Sequence, residues 1–322
     1  MKAKILALLK TEYPEYVSGE EISRMLGISR TAVWKHIRSL RENGYVVESH
    51  PRIGYRLVAT PDRLYQHELE SLLNTRIIGK RIVHRETVGS TNELAKELAQ
   101  KGAVDGTVVI AEEQTEGKGR MGRVWHSPAG RGLWFSVILR PPISPADASK
   151  LTLVTAVAAA RTIREMTGIA AGIKWPNDIL IDDHKVAGIL TEMSAELDKV
   201  NHLIIGIGIN VDLNPASIPA GIAGIATSLA HEKGSPVTRI ELLAGILNRF
   251  DELYTDFLQG RFTRILTAWK DLSITLNRWV TVRSLTGTEE GVAFDVDDEG
   301  ALLLKKKDGS MKRVLSGEVS LR

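Results

Sequence analysis

The feature that most constrains the fold is a pair of short helices predicted around one glycine, within residues 18–44. Ser18 and Glu21 form the S-x-x-E pattern of a capping box, in which the serine hydroxyl accepts a hydrogen bond from the Glu21 backbone amide. Gly27 supplies the turn, and Ser29 caps a second helix that ends at Gly44. A tight helix pair is therefore expected near the start of the chain.

The second helix of this pair separates an apolar face from a basic one. Val33, Ile37 and Leu40 recur at helical spacing and should face the core. Residues 45–58 then alternate as two strands, which completes the pattern of a winged helix-turn-helix whose second helix enters the major groove. The alternative is an ordinary three-helix bundle with a solvated basic face, and Trp34 suits packing better than base contact. The candidate DNA-binding residues are Ser29, Arg30, Thr31, Lys35, His36 and Arg38.

The rest of the chain changes pattern once, near residue 274. Short turns at 178–185 and 196–201 join consecutive strands of the central part, so its sheet should be mostly antiparallel, which argues against a doubly wound fold. From 278 onward, short strands punctuated by glycines predict an SH3-like β-barrel. We therefore expect an α+β protein of three domains, at 1–62, 63–273 and 274–322. The central strand candidates are 81–88, 106–114, 132–140, 171–175, 185–194 and 202–211, and the helix candidates are 91–100, 146–166, 239–258 and 261–271.

Composition excludes several kinds of chemistry. The 322 residues include no cysteine, which excludes disulfides, thiolate nucleophiles and cysteine-ligated zinc. A formal charge of only +3 means that nucleic-acid binding must come from a local patch. The longest apolar stretch, around 151–160, is too short to span a bilayer, so we expect a cytoplasmic protein with no membrane partner.

A glycine-rich loop, 116-EGKGRMGRVWHSP-128, is the strongest candidate for a ligand site. Gly117, Gly119 and Gly122 match both the dinucleotide fingerprint and the protein-kinase glycine loop. A strand rather than a helix follows the loop, and the other kinase motifs are missing, so neither family signature applies. Backbone amides freed by glycine and flanked by cations still suit an anion, the alternative being a surface hairpin with solvated charges.

Four further stretches carry candidate side chains: 89-GSTNELA-95, 174-KWPND-178, 184-HKVAGIL-190 and 206-GIGIN-210. In the first, Ser90 is either a plain helix cap in a capping box with Glu93 or part of a polar ligand site. The second is either an ordinary proline turn or a means of presenting two polar side chains. Lys185 in the third reaches either solvent or a ligand. The fourth stretch is predicted to be a strand with two glycines. Because glycine weakens a strand, these glycines indicate that some group approaches the backbone closely there.

Taken together, these stretches resemble the bifunctional biotin protein ligases that also repress the biotin operon. The resemblance covers essentially the whole chain and implies a class II synthetase-like ligase domain between the winged helix and the barrel. Lys118 stands where some members carry arginine, and Trp125 is the nearest candidate for stacking on adenine because residues 220–234 lack an aromatic. The residues that carry the resemblance are 90-STN-92, 114-QTEGKGRMGRVW-125, 174-KWPND-178, 185-KVAGIL-190, 206-GIGIN-210 and 317-GEVSLR-322.

The resemblance implies a ligase that forms a C–N bond, a biotin–[acetyl-CoA-carboxylase] ligase. Such enzymes join biotin and ATP, with Mg²⁺ carried by the ATP phosphates and no metal held by the protein, to give biotinyl-5′-AMP. They then transfer the biotinyl group to one lysine of a biotin carboxyl carrier protein. In the family, unused biotinyl-5′-AMP is also the corepressor, favouring a homodimer that binds operator DNA.

Each implied role falls on numbered residues of this sequence. The implied catalytic residues are Lys185, Arg120, Lys118 and Asp178. The implied biotin-binding residues are Ser90, Thr91, Asn92, Gln114, Lys118, Gly119, Arg120, Lys185, Gly188 and Ile189. The implied ATP-binding residues are Gly117, Arg120, Arg123, Trp125, Asn177, Lys185, Asn210 and Arg322. Two rival interpretations are a lipoate ligase and a transcription factor that senses a ligand without catalysis.

Overall fold

The structure is a computed structural model that describes residues 1–213, 221, 224–284 and 287–321. The chain divides into two compact units, Met1–Arg63 and Leu64–Arg322. The three domain boundaries expected from the sequence stay a prediction. No helix among the described residues is long and apolar enough to cross a membrane.

The first unit is a small helical bundle with a two-stranded wing, as the sequence predicts. Its elements are α1 (Lys2–Thr11), α2 (Gly19–Leu26), α3 (Arg30–Glu42), β1 (Val46–His50) and β2 (Gly54–Ala59). Ser18 accepts from the Glu21 amide at 3.0 Å, and Ser29 accepts from the Ala32 amide at 3.2 Å, so both predicted caps form. Gly27 ends α2 with φ of 65°, a left-handed conformation that glycine adopts without strain.

The second unit is built on a seven-stranded sheet with the strand order β3-β4-β5-β9-β8-β7-β6. Only the β3–β4 pair is parallel among these described strands, and the other neighbours run antiparallel, which confirms the predicted topology. Sequence reasoning assigned β7 to a turn, because four residues are too few to show a strand pattern. The strands are β3 (Ile82–Val88), β4 (Thr107–Gln114), β5 (Gly132–Leu139), β6 (Gly172–Lys174), β7 (Asp178–Ile181), β8 (His184–Ala195) and β9 (Val200–Asn210).

Helices cover both faces of this sheet. On one face, Ala95 and Ala99 of α5 pack against Val109, Ile138 and Ile204 of the strands. On the other face, α6 and α8 pack together over the larger core, into which strand residues such as Phe135 also point. The helices are α4 (Gln66–Leu72), α5 (Thr91–Gln100), α6 (Ala148–Thr167), α7 (Leu229–Lys233), α8 (Arg239–Leu258) and α9 (Phe262–Leu272).

A five-stranded antiparallel sheet ends the chain, in the order β13-β12-β11-β10-β14. Its strands are β10 (Trp279–Ser284), β11 (Gly287–Val296), β12 (Leu302–Lys305), β13 (Met311–Val314) and β14 (Glu318–Leu321). β13 and β14 are separated by residues 315–317, which include Gly317. Val280 and Leu302 of this sheet belong to the same hydrophobic core as α6 and α8.

Candidate active site

A cavity of about 380 Å³ lies over the glycines of β8 and β9. Gly188 and Gly208 are direct partners in the β8–β9 ladder, and the indole of Trp125 lies on them. A Cβ atom on Gly208 would come within 2.3 Å of Trp125 Nε1, and one on Gly206 within 2.1 Å of Asn92 Oδ1. The sequence expectation that something approaches the 206–210 strand closely is therefore met by two side chains.

One end of the cavity is neutral and polar. Thr91 donates through both its backbone amide and its hydroxyl to Gln114 Oε1, at 2.8 and 3.0 Å. Gln114 Nε2 donates to Ser127 Oγ at 2.9 Å. Behind them, the fully buried Ser136 Oγ lies 2.8 Å from Thr91 Oγ1 and 2.6 Å from Asn92 Oδ1. This end can hydrogen-bond a polar, uncharged group.

The other end of the cavity is cationic. Lys185 Nζ lies 2.7 Å from Asp178 Oδ1 and 5.1 Å from the centre of the Trp125 ring. Arg120 donates to Asn177 Oδ1 at 2.8 Å and to the Gly317 carbonyl at 3.3 Å. Burial lowers the pKa of Arg120, and it also lowers that of Lys174. Among the described residues that line the cavity, five side chains are cationic and three are carboxylates, and the excess of positive charge suits an anionic ligand.

The glycine-rich loop folds back on itself beside this cationic end. The Gly119 amide donates to the Arg123 carbonyl at 2.7 Å, and the Trp125 amide to the Gly117 carbonyl at 2.8 Å. Met121 and Gly122 at the tip are both left-handed, with φ of 57° and 74°. Since glycine takes this conformation without strain, Gly122 has a structural role in the loop.

Two ion pairs hold the side chains of the loop. Lys118 Nζ lies 2.8 Å from Glu93 Oε1, and this hydrogen bond, with a second from Lys96, lowers the pKa of Glu93. Arg123 makes a two-point contact with Glu318 of β14, with distances of 2.7 and 2.5 Å. The loop is therefore fastened to α5 on one side and to the C-terminal sheet on the other.

Most of the residues that the sequence singled out lie around this one cavity. Gly117 does not line it within the described part of the chain, and its carbonyl instead accepts from Trp125. Arg322, together with residues 220, 222 and 223 of the segment considered for adenine, lies outside the described residues. The lining includes Ser90, Thr91, Asn92, Gln114, Lys118, Gly119, Arg120, Arg123, Trp125, Asn177, Asp178, Lys185, Gly188, Ile189 and Asn210.

One expectation about the start of α5 was wrong. Ser90 is the residue before the helix, but its side chain makes no capping hydrogen bond, so the expected capping box with Glu93 does not form. Glu93 instead binds Lys96 and Lys118, whose charges attract it more strongly than a backbone amide does. Ser90 lines the cavity, which favours the ligand-site alternative.

Sequence reasoning missed several residues that shape the site. Lys174 lies in a quoted motif and lines the cavity, yet no role was assigned to it. Ser136 sits in an apolar strand with no pattern to mark it, and Glu192 lies on β8 opposite Asn92. Glu318 is distant in sequence from its partner Arg123, so only the fold brings them together.

The predicted DNA-contacting face of α3 is open to solvent. Ser29, Arg30, Thr31, Lys35 and Arg38 are exposed, and His36 is partly buried. Trp34 is 50 % exposed rather than packed, with the Arg38 guanidinium 6.0 Å from its ring.

No group of three or more His, Asp or Glu side chains that could hold a metal ion occurs within the described residues.

Three protein-family models match successive parts of the chain. Residues 85–210 match the Biotin/lipoate A/B protein ligase family, residues 2–56 match an HTH domain, and residues 275–322 match the Biotin protein ligase C terminal domain. The bifunctional ligase/repressor BirA of Bacillus subtilis (strain 168) is 43% identical over 321 residues, covering 100% of this chain and 98% of the relative.

Two more comparisons agree with this one. The bifunctional ligase/repressor BirA of Escherichia coli (strain K12) is 32% identical over 99% of this chain and 96% of its own length. The structure of the biotin protein ligase from Aquifex aeolicus in complex with biotin and ATP superimposes with a TM-score of 0.65, at 32% identity, covering 76% of this chain and 99% of that one. This chain belongs to the biotin protein ligase family, in the group of bifunctional ligase/repressors with an N-terminal helix-turn-helix.

Proposed function

We propose that this chain activates biotin with ATP to biotinyl-5′-AMP, transfers the biotinyl group to a lysine of a biotin carboxyl carrier protein, and represses transcription when the adenylate accumulates. One observation carries the ligase half of this proposal: a single cavity has a buried neutral end and a cationic end, separated by a glycine floor. Biotin and adenylate phosphate have the matching chemistry, an uncharged ring at one end and adjoining anions at the other.

The neutral end is assigned to the ring of biotin. Ser90, Thr91, Asn92 and Gln114 line it and offer polar groups, while Gly188 and Ile189 supply the backbone and apolar wall along β8. This placement directs the carboxylate of biotin along the glycine floor toward Lys118, Gly119 and Arg120. It also brings the carboxylate to Lys185, where the cationic end begins.

The cationic end is assigned to the phosphates of ATP. In the first step a carboxylate oxygen of biotin attacks the α-phosphorus, and pyrophosphate leaves with the bonding electron pair. Two anions meet in this step, so its catalysis is mainly charge neutralisation and positioning. We assign that role to Lys118, Arg120 and Lys185, and Lys174 adds a further positive charge nearby.

The rest of ATP is assigned to the loop and the floor. Trp125 lies on the glycine floor, and its buried Nε1 has no hydrogen-bond partner among the described residues. We place the adenylate along this indole, with Arg123 of the loop and with Asn177 and Asn210 beside it. The ATP-binding roles that the resemblance implies for Gly117 and Arg322 stay predictions. Mg²⁺ would enter with the triphosphate, whose negative charge it offsets.

The second step forms the amide bond. A lysine amine of the carrier protein attacks the carbonyl carbon of the mixed anhydride, and AMP leaves as the amine loses a proton. We assign Asp178 to orient the incoming amine, because its carboxylate lines the cavity beside Lys185. The mixed anhydride is hydrolysable, so the glycine-rich loop must also exclude water.

The repressor half of the proposal rests on the helix-turn-helix. The exposed basic face of α3 fits the major groove of operator DNA, and basic side chains elsewhere can neutralise phosphates. Because an operator with two half-sites needs two such helices, we propose a homodimer that bound biotinyl-5′-AMP favours. The carrier protein and the second copy of this chain would compete for the same surface, so that carrier binding opposes dimer formation.

Pyrophosphate release from ATP tests the proposal against its two rivals. With biotin present, release is expected, whereas a lipoate ligase would respond to lipoate and a non-catalytic sensor to neither acid. Release that is indifferent to biotin contradicts the ligase assignment.

A further inference from the structure

The proline turn 174-KWPND-178 presents part of the cationic end of the cavity from the edge of the seven-stranded sheet. Lys174 and Asp178 are partners in the β6–β7 ladder, and Asn177 Oδ1 accepts from Arg120 of the glycine-rich loop at 2.8 Å. All of these side chains line the cavity. Since β6 is the outermost described strand at this edge, the backbone of the turn needs support from outside the sheet.

That support comes from residues 273–275, which follow α9. The Ile274 amide donates to the Ile173 carbonyl at 3.0 Å, and Ser273 lies beside Ile173 as its partner in a parallel bridge. Backbone groups of alternate residues point to the same edge of a strand, so the Trp175 amide faces this segment as Ile173 does. A continued ladder would offer that amide a backbone carbonyl, but here the Thr275 hydroxyl accepts it, at 2.9 Å.

The side chain of Trp175 also reaches the C-terminal part of the chain. Its indole Nε1 donates to the Gly300 carbonyl at 3.1 Å, in the segment between β11 and β12. Trp175 is 1 % exposed and Thr275 is fully buried, so neither N–H group of Trp175 can turn to water instead. A buried amide that loses its acceptor costs far more free energy than one that water can reach. Two hydrogen bonds to residues outside the sheet therefore hold Trp175.

The opposite side of the turn is tied to the sheet itself. The Asn177 carbonyl accepts from the Ile189 amide at 2.9 Å, and Asn177 Nδ2 donates to the Ile189 carbonyl at 2.8 Å. Because β8 holds Asn177 and residues 273–275 hold Trp175, the turn has one defined position between two anchors. Loss of either anchor would move the side chains that the turn presents to the cavity.

We propose that Thr275 is a positioning residue for the use of ATP: by holding Trp175, its hydroxyl keeps the 174–178 turn where its side chains meet the phosphates. The inference rests on the proposed function, since it depends on the assignment of the cationic end to ATP. Thr275 does not line the cavity among the described residues, so it acts through the turn. The neutral end, where Thr91, Gln114 and Ser136 meet, lies on other elements.

Thr275→Val keeps the shape of the side chain and removes the acceptor. The Trp175 amide is then buried without its partner, and the turn shifts until that amide finds water or another oxygen. A displacement of about 1 Å in a site that positions substrate can cost about a hundredfold in rate. We therefore expect the KM for ATP to rise about tenfold or more and kcat to fall, while the KM for biotin stays within about threefold.

The experiment measures pyrophosphate release at varied ATP and at varied biotin for wild type, Thr275→Val, Thr275→Ser and Thr107→Val. Thr275→Ser keeps the hydroxyl and should have a KM for ATP within about threefold of wild type. Thr107→Val is the matched control, because Thr107 is also fully buried and loses one hydroxyl hydrogen bond, to the Val104 carbonyl at 2.7 Å. This control should lower Tm without raising the KM for ATP.

A merely structural role for Thr275 would lower Tm or the amount of folded enzyme and leave the KM for ATP unchanged. That result overturns the inference, as does an equal rise in the KM values for ATP and biotin, or a Thr275→Ser variant as defective as Thr275→Val.

If Thr275→Val does not fold, Trp175→Phe, which loses the hydrogen bond to Gly300, carries the test. The same ATP-selective rise in KM supports the inference, and its absence contradicts it. A wild type that releases no pyrophosphate with biotin and ATP removes the proposed function itself, and this inference with it.

Discussion

The guanidinium of Arg120 donates a hydrogen bond to the Gly317 carbonyl, at 3.3 Å, so that the glycine-rich loop is joined to the C-terminal sheet. Asn177, at the cationic end of the cavity, accepts from the same nitrogen at 2.8 Å. Arg120 thus joins the loop to Asn177 in the cavity and to the segment before β14, which is distant in sequence. Closure of the loop over an adenylate would depend on these contacts.

Arg120→Gly should release the adenylate without preventing its formation. Lys118 and Lys185 still neutralise charge in this variant, but the loop loses its contacts with Asn177 and Gly317. Biotinylation of bystander proteins should therefore rise at least about tenfold, as expected when a closing element is lost. The measurement is labelling of serum albumin mixed with enzyme, biotin and ATP. Arg264→Ala is the matched control, since Arg264 is 78 % exposed on α9, and retention of the adenylate by Arg120→Gly at the wild-type level contradicts the closing role.

Gly208→Ala should weaken the use of ATP. The new Cβ would lie 2.3 Å from Trp125 Nε1, so the indole must leave the glycine floor. If Trp125 positions the adenylate, the KM for ATP should rise about tenfold or more, because a displaced aromatic loses its stacking contact. Gly19→Ala serves as the control, because its Cβ would meet only an ordinary contact at 3.4 Å. An unchanged KM for ATP would show that Trp125 does not hold the nucleotide.

A buried ion pair should make stability depend on pH in acid. Burial raises the pKa of Glu112, but the neighbouring His84 ring, 3.7 Å away, and the charge of Arg239, 2.8 Å away, outweigh it and lower the pKa to about 2. The folded pKa lies below the unfolded value, so the stabilisation is complete above pH 4.5 and is lost as the pH falls toward 2. This loss should amount to about 3 kcal/mol of unfolding free energy.

The test compares unfolding free energies of wild type and Glu112→Gln across that pH window. The variant should be less stable at neutral pH, because the buried Arg239 loses its ion pair with the Glu112 carboxylate. Its stability should also depend less on pH between 4.5 and 2 than that of wild type. Glu165→Gln is the control, since Glu165 is 58 % exposed. Parallel pH curves for wild type and Glu112→Gln would contradict the assignment.

Operator binding should respond to the ligase substrates. We expect the affinity for a duplex selected by this chain from random sequences to rise about tenfold when biotin and ATP are added together, a typical allosteric coupling. Lys185→Ala, which should not form adenylate, is expected to bind the same duplex without responding. If the operator affinity of the wild type in gel shifts does not change on addition of biotin and ATP, DNA binding is not coupled to adenylate formation.

The parts of the fold that local chemistry specifies could be predicted from the sequence. Ser18, Ser29 and Gly27 act through their immediate neighbours, and the structure has the expected caps and turn. α5 begins at Thr91, as the sequence predicts, but the side-chain interactions at its start could not be predicted, because Glu93 binds Lys118 from another segment. Local pattern contains no information about such long-range partners.

The same distinction applies to the candidate site. Most of the residues that line the cavity lie in the motifs named above, because closely spaced glycines and cations can be recognised in a sequence. Ser136 could not be predicted, because a single serine within an apolar strand carries no pattern. Its role appears only in the fold, where its hydroxyl contacts Thr91 and Asn92. Glu318 lies in the quoted stretch 317–322, but its ion pair with Arg123 could not be predicted, because only the fold brings β14 next to the loop.

Mass spectrometry of an isolated biotin carboxyl carrier domain, incubated with this protein, biotin and ATP, tests the central claim most directly. The account predicts one biotinyl group on one lysine of the carrier, dependent on ATP, and no labelling by Lys185→Ala. A carrier that stays unmodified with biotin and ATP, or one that Lys185→Ala labels as fast as wild type does, would contradict it.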